Sequence, residues 1–302
     1  ILGSAMVEII VNHGNKKKKI IFSGDIGQWD RPLVKDPTIF ERADYIVMES
    51  TYGDRNHNDS ASVDDLLASF INETVNAHGN VVIPTFAIER AQELMFHLSC
   101  LVREDRIPYM MMFLDSPMAV DITDVFLRHI NSLDKESRRL FAKGHSPFRF
   151  PGMRLIRSVE ESKAINNIKG SCLIMAGSGM CTGGRIKHHL KRNISRPESM
   201  ILFVGYQVIG TLGREVVDGN EEVRIHNQIF PVKARIEQIQ GFSAHADKDD
   251  LIKWLEALKS PPSKIFLTHG EKAAMSVLSD NIKRKFNWSV HIPKYLEEID
   301  LD

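Results

Sequence analysis

Apolar and polar positions in this chain follow two alternating patterns. Runs of three to five apolar residues, such as 172–176 and 200–204, predict short strands that are buried on both faces. Between such runs, apolar residues recur every three to four positions, as in 62–77 and 88–102, and predict amphipathic helices. This alternation of strands and helices predicts a parallel, doubly wound α/β sheet.

The pattern changes towards both ends of the chain. Two apolar stretches, 7–11 and 19–22, predict a hairpin with a Gly-Asn turn and a run of lysines between its strands. Residues 222–242 alternate in a manner typical of antiparallel strands, and helices are predicted over 247–258 and 272–286.

Two domains are expected from these changes, each large enough to bury its own core. Residues 1–59 and 216–302 would form the two parts of one α/β domain. Residues 60–215 would form the second domain, inserted into the first. The polar stretch 53–60 marks the first boundary between them.

The composition is that of a globular protein, with 43% hydrophobic and 26% charged residues. Lys and Arg number 39, as do Asp and Glu, so a broadly basic nucleic-acid-binding coat is excluded, whereas a local basic groove is not. No apolar run approaches the ~20 residues of a membrane span, so no membrane association is expected. Three scattered cysteines without a CxxC pair argue against a disulfide framework and favour a reducing, cytoplasmic location.

Four predicted strands lead into residues that bind metals or transfer protons: Asp25, Glu49, His245 and His269. Open α/β sheets build their sites in the crevice beyond the strand ends. One such residue alone would be an ordinary polar strand end, but four in one chain favour an enzyme. Asp25 and His269 suit zinc or another divalent ion. Glu49 and His245 suit a carboxylate–imidazole pair, in which the acid orients the ring and raises its pKa.

Longer motifs surround these residues. They are Phe22-Ser23-Gly24-Asp25, Glu49-Ser50-Thr51-Tyr52-Gly53, Phe242-Ser243-Ala244-His245-Ala246-Asp247 and Leu267-Thr268-His269-Gly270-Glu271, with 84–94 and 177–185 in the predicted insert. The set resembles the β-CASP branch of the metallo-β-lactamase superfamily, which includes RNase J and the pre-mRNA cleavage endonuclease. The resemblance keeps the family's motif order over nearly the whole chain. The set is specific, although each motif alone is weak.

The resemblance implies an incomplete αββα metallo-β-lactamase sandwich with an inserted, doubly wound β-CASP domain. It implies a zinc-dependent ribonuclease that cleaves single-stranded RNA as an endonuclease, a 5′-exonuclease or both. Asp25 would bridge two zinc ions and His269 would bind one of them, while His245, held by Glu49, would protonate the leaving oxygen. The expected products carry a 5′-phosphate and a 3′-hydroxyl.

A glycine-rich turn in the predicted insert leads into a basic helix. Amides at a helix N-terminus favour phosphate, and basic residues that follow would extend that track along RNA. A solvated basic helix face remains the alternative for its lysines and arginines. The residues expected to contact RNA are Arg90, Ser178, Gly183, Gly184, Arg185 and Lys187.

One family motif, the zinc-binding HxHxDH, does not occur in the 302 residues. An HxLGSA motif starts here at its second residue, so its histidine would directly precede Ile1. We therefore expect an N-terminally truncated fragment that is inactive alone, from a parent that is an enzyme. The other histidines, including His188-His189, lack the motif's spacing and are expected at the surface. A catalytically inactive RNA-binding or scaffold paralogue, a small-ester metallo-hydrolase and a homo-oligomer stay open.

Overall fold

The computed structural model describes residues 2–13, 16–57, 62–239 and 241–301. The strands are β1 (Val7–His13), β2 (Lys16–Phe22), β3 (Tyr45–Glu49), β4 (Val81–Pro84), β5 (Met111–Asp115), β6 (Met153–Ile156), β7 (Cys172–Ala176), β8 (Met200–Val204), β9 (Glu222–Ile225), β10 (Gln228–Pro231), β11 (Arg235–Ile239), β12 (Lys264–Thr268) and β13 (Val290–His291). The α-helices are α1 (Val63–Asn76), α2 (Arg90–Arg103), α3 (Pro117–Arg128), α4 (Lys135–Ala142), α5 (Val159–Ala164), α6 (Ile186–Asn193), α7 (Leu212–Val217), α8 (Lys248–Glu256) and α9 (Lys272–Phe286). Among these helices, none is both long and apolar enough to cross a membrane.

Two compact units share the chain. Residues 1–57 and 244–302 form the first unit, and residues 58–243 form the second. Both units combine helices with parallel strands. The predicted α/β fold class is therefore confirmed, and the sequence of one unit interrupts the sequence of the other.

Within the described residues, the sheet of the first unit has five strands in the order β1-β2-β3-β12-β13. Strands β1 and β2 form the predicted antiparallel hairpin, whose predicted Gly-Asn turn lies outside the described residues. Strands β2, β3 and β12 are parallel, and Thr268 lies beside Glu49. Helices α8 and α9 bury Leu251 and Leu278 with the strand residues Ile21 and Ile46 in one core. The carboxyl ends of these three strands meet at one edge of the sheet.

The sheet of the second unit has six strands within the described residues, in the order β11-β8-β4-β7-β5-β6. All neighbouring strands in it are parallel. Every residue of β4, β7 and β8 is buried, because helices cover both faces of the central strands. The continuous apolar runs of the sequence have this physical origin.

The second unit extends further along the chain than the sequence predicted. The boundary was expected at residue 215, because residues 222–242 alternate like antiparallel strands. Strands β9 and β10 do form such a hairpin, but β11 pairs in parallel with β8 and completes one edge of the six-stranded sheet. An edge strand is partly exposed and therefore alternates in sequence even when its pairing is parallel. This pairing places residues 216–243 in the second unit.

Candidate metal and acid–base centre

Asp25, Glu49, His245 and His269 lie together in the first unit. Each offers one possible metal-ligand atom, and these atoms all lie within 4.8 Å of one another. Glu49 ends β3, Asp25 follows β2 and His269 follows β12, so three of the four come from the shared edge of the parallel strands. Among the residues that the structure describes, this is the one group of three or more such side chains suited to a metal ion. The structure thus brings together all four residues that the sequence singled out.

Backbone geometry sets the positions of Asp25 and His269. Gly24 adopts a left-handed conformation, with φ of 56°, and a Cβ there would come within 2.6 Å of the carbonyl oxygen of Ala5. Only glycine fits this turn, which directs the chain from β2 into Asp25. His269 also has a positive φ, 49°, and its carbonyl oxygen accepts a hydrogen bond from the amide of Ser50 at 3.3 Å. A left-handed histidine is a strained position of the kind that clusters at functional sites.

The spacing of Asp25 and His269 suits two ligands of one metal ion. Asp25 Oδ1 and His269 Nδ1 are 3.4 Å apart. Adjacent ligand atoms of a tetrahedral site with bonds of about 2.1 Å are separated by about 3.4 Å. A charge-assisted hydrogen bond would instead be about 2.7–2.9 Å long. The two side chains are 38% and 59% exposed, so an ion and a substrate can approach them from solvent.

Glu49 and His245 form a closer contact of a different kind. His245 Nδ1 lies 2.9 Å from Glu49 Oε2, a hydrogen-bond distance, and the hydroxyl of Thr51 lies 2.6 Å from the same oxygen. Burial by itself lowers the pKa of His245. The hydrogen bond and negative charge of Glu49, with the charge of Asp25, outweigh burial and raise that pKa above its usual value. The geometry is therefore that of an oriented imidazole that holds a proton to higher pH.

The second carboxylate oxygen of Glu49 supports a cation at this centre. Glu49 Oε1 is buried and has no hydrogen-bond partner among the described residues. Buried carboxylate oxygens normally have a partner, so an unpaired one beside Asp25 and His269 fits a bound cation. Carboxylate oxygen and imidazole nitrogen are ligand types that zinc accepts. The residues present therefore fit a divalent metal ion held by Asp25 and His269, with Glu49 Oε1 as a third candidate ligand atom.

Two side chains that the sequence did not single out hold the main chain of His245. Gln28 Nε2 donates to the His245 carbonyl oxygen at 3.3 Å, and His57 Nε2 lies 3.2 Å from the same oxygen. The amide of His57 donates to the side chain of Asp247 at 3.1 Å. Gln28 and His57 lie in the loops that follow β2 and β3, several residues beyond the strand ends, so the strand-end pattern in the sequence did not identify them.

The predicted phosphate-binding turn of the second unit is closed by its own hydrogen bonds. The amide of Ile186 donates to the Gly177 carbonyl at 3.0 Å, and the amide of Ser178 donates to the Gly183 carbonyl at 3.1 Å. The amide of Gly183 lies 3.3 Å from the hydroxyl of Ser178. These amides are engaged within the turn. Gly184 is also needed for the turn itself, because its φ is 79°.

The basic residues predicted to contact RNA have different surroundings. Arg185 Nη1 donates to Asp115 at 2.7 Å and Arg185 Nη2 to the Arg157 carbonyl at 2.8 Å, so a phosphate would have to use its remaining N–H groups. Arg90 is 9% exposed and lies over the ring of Phe242, with 5.7 Å between the guanidinium carbon and the ring centroid. Lys187 is partly buried. An RNA contact remains a prediction for all three.

A buried ion pair network lies beneath Arg185. The fully buried carboxylate of Asp115 accepts hydrogen bonds from Arg185, from Ser162 at 2.6 Å and from His189, whose Nε2 lies at 2.6 Å. Burial raises the pKa of Asp115, but the hydrogen bonds of His189, Ser162 and Arg185 outweigh it and lower that pKa below its usual value. His189 is only 2% exposed, so the expectation that the His188-His189 pair lies at the surface is wrong for His189. Its imidazole is buried because Asp115 supplies a partner.

Two protein families match separate parts of the chain. Residues 91–216 match the Beta-Casp domain, and residues 229–293 match the Zn-dependent metallo-hydrolase RNA specificity domain. The second match contains His245 and His269, and the first contains the turn before α6. Together the two matches cover more than half of the chain.

Curated relatives extend this likeness over most of the chain. It is 36% identical over 261 residues to Ribonuclease TTHA0252 of Thermus thermophilus, a match that covers 86% of this chain and 59% of the relative. It is 31% identical over 314 residues to Transcription termination factor FttA of Methanocaldococcus jannaschii, covering 99% and 48% respectively. An RNase J-like protein of the same organism is 31% identical over 275 residues, covering 90% and 62%. The chain thus spans about half to three fifths of these relatives.

Proposed function

This chain belongs to the β-CASP family of metallo-β-lactamase-fold hydrolases, and from that membership we propose that it acts in a zinc-dependent ribonuclease. The reaction would be hydrolysis of phosphodiester bonds in single-stranded RNA. The names of the relatives and the match to an RNA specificity domain support the substrate. The observation that carries the proposal is the Glu49–His245 pair beside Asp25 and His269, with all four ligand atoms within 4.8 Å.

Asp25 and His269 would hold zinc in this proposal, in a centre for which we propose two ions. Bound zinc supplies a Lewis acid that neutralises the negative charge developing on the phosphate in hydrolysis. The exposure of Asp25 and His269 lets an RNA phosphate approach the metal ligands directly.

His245 would protonate the oxygen that leaves phosphorus. Its Nδ1 is committed to Glu49, so proton transfer falls to Nε2. The carboxylate of Glu49 fixes the ring's orientation and, by raising the pKa of His245, keeps the acid form present to higher pH. Glu49 is a positioning residue in this scheme, because it acts through the imidazole. A water molecule would form the new bond to phosphorus as the bond to the 3′-oxygen breaks, and it would release one proton to solvent. The leaving oxygen, with the proton from His245, would become a 3′-hydroxyl, and the phosphorus would stay on the other end as a 5′-phosphate.

The test separates metal binding from proton transfer. In a full-length protein that contains this chain, we expect His245→Ala to retain its zinc and to slow single-turnover cleavage of labelled single-stranded RNA by roughly 10²–10⁴-fold, the usual effect of losing a general acid. Asp25→Ala should lose both zinc and cleavage. The matched control is His291→Ala, which removes another histidine of the first unit that contacts a carboxylate, Glu297 at 2.9 Å. The control should change neither quantity.

Elemental analysis and cleavage kinetics on the same preparations decide the outcome. If His245→Ala lost its zinc, the histidine would be a metal ligand and not the acid. If the full-length wild type bound RNA without cleaving it, an RNA-binding paralogue would replace the proposal. If it hydrolysed a nitrophenyl ester but had no affinity for RNA, a small-ester hydrolase would replace it.

The pH dependence of cleavage tests the role of Glu49. Glu49→Gln removes the charge that raises the pKa of His245, so that pKa should fall. A general acid is active only when it is protonated, so cleavage by the variant should be lost at lower pH than cleavage by the wild type. The pH–rate profiles of the two proteins measure this shift. Identical alkaline limbs would show that Glu49 does not act through His245.

A further inference from the structure

A groove crosses the second unit between helix α6 and the segment of α5 with the 3₁₀ turn at residues 165–167. It consists of two adjoining cavities of about 670 and 460 Å³, which share Asn166 and Arg192 as lining residues. We call it the basic groove because all of its charged lining residues are cationic. Its basic side chains are Lys163, Arg185, His188, Lys191, Arg192 and Arg196.

The charge of the basic groove is not balanced by acids in its walls. None of the described residues that line either cavity is an aspartate or a glutamate. Arg196 has an acidic partner outside the lining, Glu198 at 2.8 Å. Lys163, Lys191 and Arg192 have no ion-pair partner among the described residues. All three side chains are exposed, although the Nζ of Lys191 also lies 5.8 Å from the centroid of the Phe230 ring. Exposed, uncompensated positive charge favours a polyanionic ligand.

The floor of the basic groove is fixed by buried groups. Asp115 lies beneath it with no exposed surface and accepts hydrogen bonds from Arg185 and His189, which line the first cavity, and from Ser162. The carboxylate of Asp115 balances the charge of Arg185 and fixes its guanidinium, with 2.7 Å between Asp115 Oδ1 and Arg185 Nη1. The groove is therefore a preformed feature and not a chance cluster of mobile surface lysines.

Spacing along the groove exceeds what one phosphate requires. Arg185 and Arg192 stand at the two ends of α6, about 10 Å apart at 1.5 Å per residue, and Arg196 lies beyond. Small-molecule sites are lined mainly by apolar side chains with a few polar groups, unlike this lining. A row of cations along a helix is instead the usual footprint for a nucleic-acid backbone.

We propose that the basic groove binds the phosphate backbone of single-stranded RNA and uses none of the residues of the metal and acid–base centre. This proposal deepens the proposed function. It rests on the proposed function only for the choice of RNA as the ligand. Contacts of this kind carry no base specificity, so the groove would hold unrelated strands with similar affinity. It would increase affinity for strands long enough to follow α6.

The test removes two charges from the rim without touching the buried network. Lys163→Gln/Arg192→Gln should lower the salt slope of binding by about 1.4, because each phosphate contact on a single strand contributes about 0.7. Near 0.15 M salt, that change corresponds to a loss of affinity on the order of tenfold. Lys135→Gln/Arg139→Gln is the matched control, because it removes two exposed charges from α4 of the same unit. Fluorescence anisotropy with labelled poly(U) and poly(A) oligonucleotides measures the slopes, and thermal unfolding checks that both variants fold.

The expected result is a reduced slope for the groove variant on both homopolymers and an unchanged slope for the control. Equal slopes in the wild type and the groove variant would overturn the proposal, as would an equal loss in the control. Complete displacement of the labelled oligonucleotide by inorganic phosphate, at the concentration where phosphate itself saturates the groove, would also overturn the proposal. The groove would then hold a single anion and not a strand. Cleavage by a full-length protein that contains this chain is measured in parallel and is independent of these outcomes. A groove-dependent slope without that cleavage would refute the ribonuclease and leave the groove.

Discussion

Replacing Asp115 by asparagine should destabilise the second unit far more than the same change at the surface. The carboxylate is fully buried and accepts three hydrogen bonds, from Arg185, His189 and Ser162. Asparagine has one acceptor oxygen and an NH₂ group. If the NH₂ group faces Arg185, two donors meet; if it faces Ser162 and His189, both must change from donor to acceptor. In either orientation the cation of Arg185 loses its counter-charge.

The expected cost follows from this geometry. Removing one partner of a buried ion pair typically costs about 3–5 kcal/mol, since the other charge remains buried without compensation. The side chain of Arg185 is 19% exposed and can regain part of its hydration, which favours the lower end of that range. We therefore expect Asp115→Asn to lower the free energy of unfolding by about 3 kcal/mol.

The matched control is Asp124→Asn, the same change at a carboxylate in the same unit that also pairs with an arginine. Asp124 lies 2.6 Å from Arg157, but the two side chains are 44% and 49% exposed. Exposed ion pairs contribute about 0–1 kcal/mol, so the control should change the free energy of unfolding by no more than about 1 kcal/mol.

Urea unfolding followed by far-UV circular dichroism measures both variants. Trp29, Trp254 and Trp288 all belong to the first unit, so tryptophan fluorescence would not report directly on the unit that carries Asp115. Since the pKa of Asp115 is lowered in the folded protein, its charge stabilises the fold above the unfolded carboxyl pKa near ~3.9. That contribution is lost as the pH falls through the lower folded-state value. The gap between wild type and Asp115→Asn should thus be constant from about pH 5 to 7 and shrink below about pH 4.

Equal costs for Asp115→Asn and Asp124→Asn would refute this reasoning, because the buried carboxylate would then contribute no more than a surface one. A gap that persisted undiminished at pH 3 would refute the electrostatic origin and leave packing as the cause.

Burial raises the pKa of Cys172 to about 11 and that of Cys181 to about 12. Iodoacetamide at pH 8 should therefore label both thiols at least on the order of 10²-fold more slowly in the folded protein than in the unfolded chain. Mass spectrometry measures the labelling rates, and equal rates in the two states would contradict the burial of the thiols. Gly79→Ala should destabilise the second unit by about 3 kcal/mol or more, because the new Cβ would overlap the carbonyl oxygen of Glu198. Gly183→Ala, where a Cβ meets nothing within 4 Å, should stay within about 1 kcal/mol of wild type in the same urea titration, and equal costs would contradict the clash.

Sequence alone determined most elements of the fold, because each depends on a local pattern. Helix α9 begins and ends where the sequence placed it, at Lys272 and Phe286, and α1 lies within one residue of its predicted bounds. The continuous apolar runs identified β7 and β8 as buried strands. The four centre residues were also singled out from sequence, and Asp25, Glu49 and His269 lie together because parallel strands bring their carboxyl ends to one edge. A carboxylate or imidazole at the end of one parallel strand therefore lies near those at the ends of the neighbouring strands, and the sequence alone shows this.

Pairing partners, burial and charge compensation were decided only by the tertiary structure. The sequence could not show that β11 pairs with β8, because the partner is about 35 residues away and an edge strand alternates in either orientation. Nor could it show that Asp115 lies beneath Arg185 and His189, which makes Arg185 part of a buried network, while its RNA contact stays a prediction. The role of a charged side chain depends on its distance from the nearest opposite charge, because the interaction energy falls with distance. The tertiary structure sets that distance, and the order of residues in the sequence does not show it.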